Sequence, residues 1–257
     1  MLRIEPRYCG PPESGNGGYS AGLLGSRMGG CVEVTLRVPP PLACALSVVE
    51  SPELLELRAG EQLIAEARPA RLDLEVPSCP SFERARQLSE LYVGHKTHNF
   101  PSCFVCGPAR AAGDGLRIFP GSETPQGPVA APFVPDASLA DAQGLVRPEI
   151  LWAALDCSGY FACAAPTYPI ALLGRITAEL YGAVRAHERC VVMGWALGRE
   201  GRKLFAATAL FGQDGELRGL ARQVWIQPGG PNSSRVFRTA RPSQPPPPPP
   251  SSPSSKS

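Results

Sequence analysis

The segment GHKTHNFPSCFVCGP, running from Gly94 to Pro108, places His95, His98, Cys103 and Cys106 within twelve residues of a chain that holds only three histidines. Imidazole and thiolate are ligands that zinc favours, and two of each is a recurrent set. In such sites about a dozen or more residues commonly separate the two pairs, so that a folded unit closes over the metal. Here four residues, Phe100 and Pro101 among them, stand between His98 and Cys103. Little chain is left to shape a tetrahedron, so no metal and no other cofactor is assigned from the sequence. His95, His98, Cys103 and Cys106 stand as zinc candidates that a metal measurement would test.

The second chemical feature is one carboxylate. Asp156 is the only charged residue between Ile150 and Ala165, and Trp152, Leu155, Tyr160 and Phe161 surround it in sequence. A carboxylate in apolar surroundings needs a partner or a role. Burial would raise its pKa, which suits a general base acting on water. The competing reading is an aspartate on the exposed stripe of an amphipathic helix, or one bonded to nearby backbone. Cys157, next to it, lacks a histidine in any motif that would make it a nucleophile, and reads as a buried structural thiol. The sequence carries no P-loop, no dinucleotide-binding glycine turn and no Ser-His-Asp signature.

These residues need elements to hold them. RPEILWAALDCSGYFACA, with Asp156 inside it, predicts a helix: Pro148 suits the first turn and Glu149 the positive end of the helix dipole. Four strands follow, in GRITAELYG, CVVMGWALG, KLFAATALFG and LRGLARQVWIQ, separated by Gly182, by GREGR and by the Asp214-Gly215 hairpin pair. The first half shows the same order. A short helix in GNGGYSAGLLGSRMG precedes strands in CVEVTLRVPPPL and ALSVVES and a hairpin around Ala59-Gly60, and a further strand is expected from Arg71 to Val76. AGEQLIAEARP in one half answers DGELRGLARQV in the other, which points to an internal repeat. Between the halves, SFERARQLSELYVG sets Phe82, Ala85, Leu88 and Tyr92 at helical spacing, as a connecting helix would.

Composition narrows the function classes. The 25 Lys and Arg nearly cancel the 23 Asp and Glu and are scattered, so no nucleic-acid footprint is present. The longest stretch low in charge, 150–165, is too short to span a bilayer and contains Asp156, so no membrane association is expected. Nine irregularly spaced cysteines without a secretory leader suggest free thiols in a reducing cytoplasm. From residue 229 the Pro- and Ser-rich sequence, with six consecutive prolines, reads as a disordered tail, or less simply as a polyproline ligand.

Particular words of sequence resemble a known family. CFVCGP followed by GDGLRIF is similar to the opening of hotdog thioesterases of the phenylacetate-degradation type. GNGGYSAGLL resembles the first-half helix start of double-hotdog acyl-CoA thioesterases of the thioesterase II-like group, and LWAALDCSGYFA and LRGLARQVWI resemble its second-half helix and last strand. The resemblance covers roughly residues 8–228. It implies an α+β fold of two hotdog units in one chain, each a long helix wrapped by an antiparallel sheet. The units would occupy 1–80 and 99–228, with a connecting helix and linker at 81–98, the tail at 229–257, and GDGLRIF as the first strand of the second unit.

It further implies hydrolysis of an acyl-CoA thioester, with Asp156 activating water, Gln223 assisting from the last strand, and backbone N–H groups at a helix start polarising the carbonyl. The family's hydroxyl position aligns near Leu173, so Thr177, four residues on, is the weaker carry-over. Gly17 and Gly18, which permit close approach to the first helix, and Trp152 are assigned to substrate binding. The first helix has no acidic residue between Asn16 and Gly30, so the first unit is expected to be scaffold. Hotdog hydratases carry a histidine shortly after the helix aspartate, which is absent here. The rival to an enzyme is a non-catalytic acyl-thioester or lipid-like ligand-binding protein with the same tunnel, and a third reading is a zinc-stabilised interaction protein. A homodimer of the double unit is an expectation from the resemblance alone.

Overall fold

The computed structural model describes residues 2–229. The polyproline reading of the tail lies outside them. In chain order the elements are α1 (Gly17–Met28), β1 (Val32–Leu36), β2 (Ser47–Ser51), β3 (Leu54–Ala59), β4 (Gln62–Pro69), α2 (Phe82–Ser89), β5 (Val129–Phe133), α3 (Pro148–Ala154), α4 (Cys157–Cys163), β6 (Leu172–Leu180), β7 (Cys190–Glu200), β8 (Lys203–Phe211) and β9 (Leu217–Ile226). The nine strands form one sheet in the order β2-β3-β4-β1-β6-β9-β8-β7-β5.

That order displays the internal repeat. Outward from the centre, the first half reads β1-β4-β3-β2 and the second β6-β9-β8-β7, with β5 added at the outer edge. β1 and β6 meet antiparallel at the middle, Val34 opposite Ile176, so the two halves share a continuous hydrogen-bonded ladder. The hairpins turn where the sequence provides residues for positive φ, at Gly60 and Gly215.

α1, α3 and α4 lie on the inner face, while α2 packs on the opposite, outer face against β5 and β7, with Ala85 among Val191, Met193 and Phe211. Asn16 caps α1 by accepting from the Tyr19 N–H, and Ser81 caps α2 by accepting from the Arg84 N–H. α1 and α3 approach closely because α1 presents glycine along the shared face. A Cβ at Gly22 would stand 2.7 Å from Glu149 Cα and from Trp152 Cβ, and one at Gly25 would enter the Trp152 ring. α4 then packs on β7 and β8.

Three segments differ from the sequence reading, each for a local reason. The predicted helix over 148–164 is interrupted at Asp156, whose φ of −82° and ψ of −80° separate α3 from α4. Arg71–Val76 is extended but forms no strand; Leu72, Leu74 and Val76 lie across the outer face of the sheet, over a patch that includes Val191, Met193, Trp195 and Phe211. Period-two alternation reports an extended chain with one apolar side, and here that side covers a sheet instead of joining it. Likewise GDGLRIF does not open the second unit as a strand. The Leu116 and Ile118 N–H groups donate to the Phe104 and Val105 carbonyls, so its hydrogen bonds return to the CFVCG loop, and the first strand of this half is β5. Among the described residues no helix is long and apolar enough to cross a membrane.

Candidate active site

A cavity of about 550 Å³ opens where the two halves meet, a volume within the range of about 300–1,000 Å³ usual for small-molecule sites. Gly15, Asn16 and Gly17 line it from the start of α1, Asp156, Cys157, Tyr160 and Phe161 from the α3–α4 break, and Leu173 and Trp225 from β6 and β9. The loop that carries the His/Cys motif closes another wall with His98, Asn99, Phe100, Cys103 and Cys106. Most of this surface is apolar, with a few polar groups converging at Asp156.

Asp156 is 1% exposed. Its Oδ2 accepts from Asn16 Nδ2 at 2.7 Å and from the Gly18 N–H at 3.0 Å, while Oδ1 has no hydrogen-bond partner. Burial pushes its carboxyl up to about 7, against the opposing pull of the Gly18 N–H and the Asn16 amide. The result is a carboxyl group with one oxygen anchored and the other buried without a partner. Asn16 serves twice: Oδ1 caps α1 through the Tyr19 N–H, which turns Nδ2 toward Asp156. Sequence reading missed Asn16, although an asparagine directly before a helical Gly-Gly is a capping signal.

Gly17 lines the cavity, with Leu173 packed against it. Gly18 instead holds the carboxylate. A Cβ there would stand 2.6 Å from Asp156 Cβ and 2.7 Å from the Trp152 carbonyl oxygen, so the close passage of α1 over the helix break depends on this glycine. Trp152 is 2% exposed and fills the space beside Gly22 and Gly25, within the α1–α3 contact and not among the cavity-lining residues.

Gln223 sits behind Asp156. Its Nε2 donates to the carbonyls of Leu155 and Asp156, the latter at 3.0 Å, and its Oε1 accepts from Trp225 Nε1 at 2.8 Å. Thr208, which sequence reading did not single out, donates to the Leu155 carbonyl at 2.7 Å. Together β8 and β9 satisfy the Leu155 carbonyl at the end of α3, and the Asp156 carbonyl accepts from Gln223 as well as from the Gly159 N–H. Thr208 had no sequence signal, because its partner is a backbone atom 53 residues away. Thr177 does not line the cavity: it pairs across β1 with Glu33, to whose carboxylate its hydroxyl donates at 3.4 Å.

The His/Cys motif divides. His95 is exposed, with its ring against Tyr92 and Phe119. His98 Nδ1 accepts from the Phe100 N–H at 2.9 Å, which leaves the hydrogen on Nε2, 3.4 Å from Cys106 Sγ. Burial lowers the His98 pKa. Cys103 and Cys106 are joined by Cys157, and the three buried Sγ atoms all lie within 4.8 Å of one another. All nine cysteines are free thiols.

No protein-family model and no curated protein matches this chain by sequence. Solved structures do match it in shape. The tesB protein of Mycobacterium avium subspecies paratuberculosis is similar at 13% identity and a TM-score of 0.53, over 84% of this chain and 88% of that one. A thioesterase candidate from Novosphingobium aromaticivorans matches at 13% identity and a TM-score of 0.56, over 89% and 94%. A conserved protein of unknown function with hot dog fold from Alicyclobacillus acidocaldarius matches at 11% identity and a TM-score of 0.56, over 89% and 92%. At such identities the likeness is one of fold. The chain has the hotdog fold in a two-unit form, as CFVCGP and LWAALDCSGYFA imply.

Proposed function

We propose that this protein hydrolyses acyl-CoA or related acyl thioesters in the cavity between its two hotdog units, with Asp156 as general base. The observation that carries this reading is the state of the Asp156 carboxylate: buried on a ligand-sized cavity, held through Oδ2 and unpartnered at Oδ1. A water at Oδ1 would lose its proton to Asp156 as its oxygen attacks the thioester carbonyl. The developing oxyanion would be met by backbone N–H at the start of α1. There the Gly18 N–H binds Asp156 and the Tyr19 N–H binds Asn16, so Gly17, on the cavity wall, supplies the remaining amide. Collapse of the tetrahedral intermediate breaks the C–S bond, and the proton held by Asp156 passes to the departing thiolate, giving a carboxylic acid and free thiol.

In this scheme Gln223 is a positioning residue: it holds the backbone on either side of the Asp156 hinge instead of touching substrate. The apolar walls, with Leu36, Phe100, Tyr160 and Trp225, suit an acyl group. We take the first unit as the holder of the second unit's base, and nine free thiols as fitting a reducing cytoplasm.

A second reading, non-catalytic binding of the same ligands, is favoured by one observation. Leu173 stands where the resemblance implies a hydroxyl, and Thr177 turns to Glu33 outside the cavity. Acyl-CoA substrates of varied chain length, assayed by chromatographic release of free CoA with wild type and Asp156→Asn, separate the two. Release abolished by the substitution supports the enzyme; saturable binding without release from any substrate supports the binding protein.

A further inference from the structure

The arrangement of Cys103, Cys106 and Cys157 has no part in that scheme. All three are buried in the cavity wall, and their sulfur atoms form a triangle with every edge under 4.8 Å and the Cys103–Cys157 edge at 3.8 Å. A tetrahedral zinc with Zn–S bonds of about 2.3 Å requires sulfur atoms about 3.8 Å apart. Free thiols packed as hydrophobes have no reason to converge three at a time, each having only a weak donor to offer the others.

Side-chain donors face two of the three sulfurs, Cys103 Sγ among them. Asn16 Nδ2 lies 4.0 Å from the same sulfur, and the His98 Nε2 hydrogen, fixed there by the Phe100 N–H on Nδ1, is aimed at Cys106 Sγ. The same hydrogen keeps His98 from being a ligand through Nε2; it supports a ligand instead. The shortage of chain between His98 and Cys103 is removed as well, because the third sulfur arrives from α4, 54 residues from Cys103.

We propose that Cys103, Cys106 and Cys157 bind one zinc ion as a three-thiolate site in the cavity wall, with the fourth vertex open to the cavity. Binding releases the remaining thiol protons to solvent, and no redox step is involved. The site ties the loop that opens the second half to the helix that follows Asp156. It does not rest on the thioesterase reading, and because Asp156 precedes Cys157, metal content and not turnover is the measurement.

The full chain, purified reduced, loaded with zinc and desalted, is expected to retain about one zinc per chain. Cys157→Ser and the Cys103→Ser, Cys106→Ser pair should each lower retention about tenfold or more, while Cys190→Ser, a buried thiol elsewhere, leaves it unchanged. Circular dichroism checks that each variant is folded. Folded wild type that retains no zinc overturns the proposal, as does a Cys103, Cys106, Cys157 triple serine variant that retains as much as wild type. If the variants do not fold, cobalt(II) added to metal-free wild type decides. A thiolate-to-cobalt charge-transfer band saturating at about one equivalent supports the site, and no band overturns it.

Discussion

The two halves of the sheet are close copies in strand order, yet their helices differ in every property that matters for chemistry. α1 is twelve residues long, uninterrupted, and glycine-faced, with no acidic residue in its first turn. Its counterpart is split into α3 and α4, and the carboxylate sits at the split. A regular helix satisfies its own backbone and leaves nothing to be held from outside. A broken one exposes carbonyls, and β8 and β9 hold these through Thr208 and Gln223, which makes the break a fixed feature. Asn16 and Gly18 of the first half reach across to anchor Asp156, and in the function proposed above the first half supports the base that the second half carries.

If that division of labour is correct, damage to the second half should remove chemistry. Asp156→Asn keeps an oxygen for the Asn16 and Gly18 donors but loses the base, and should lower kcat for thioester hydrolysis by about 10²–10⁴-fold. Stopped assays of free CoA, with the melting temperature as a control for folding, read this out. Unchanged kcat would remove Asp156 from the proposed role.

Damage at the contact between halves should act on stability. Trp152→Ala would empty the space between Gly22, Gly25 and α3 and is expected to cost about 3–5 kcal/mol, measured by urea unfolding. Gly22→Ala gains about 0.8–1 kcal/mol of helix propensity but drives a Cβ into Glu149 and Trp152, an overpacking that costs about 1–3 kcal/mol. A net loss of stability is expected, and a net gain would show that the two helices separate easily.

Gln223→Leu tests whether the break needs its clamp. Leaving the Leu155 and Asp156 carbonyls without this donor should cost about 1–3 kcal/mol and lower kcat with little change in KM, since Gln223 does not line the cavity. A rise in KM at constant kcat would mean that it meets substrate. The smallest effect belongs to Thr177→Val. Its long hydrogen bond to Glu33 on the sheet face away from the cavity predicts a stability change within about 0.5 kcal/mol and unaltered turnover.

Much of the architecture was legible because hydrophobic period and turn residues act locally. The eight strands that repeat between the halves, both hairpin turns, a helix within GNGGYSAGLLGSRMG and the helix start at Pro148 follow from alternation, glycine and proline in the sequence. Asp156 stood out for the same kind of reason, as the one charge in an apolar run. Arg71–Val76 and GDGLRIF were misread because an extended chain has the same period whether it pairs in a sheet, covers one or bonds to a loop.

The sequence by itself determined which residues can form helix and strand, that the pattern occurs twice, and where one carboxylate would be costly to bury. Tertiary structure alone decided what each group faces. It brought Asn16 to Asp156 across 140 residues, turned Gln223 onto backbone and Thr177 out of the cavity, and replaced His95 with Cys157 beside Cys103 and Cys106. The physical reason is that propensity and periodicity act over a few residues, whereas a buried polar atom is satisfied by whatever neighbour the packed chain brings within about 3 Å.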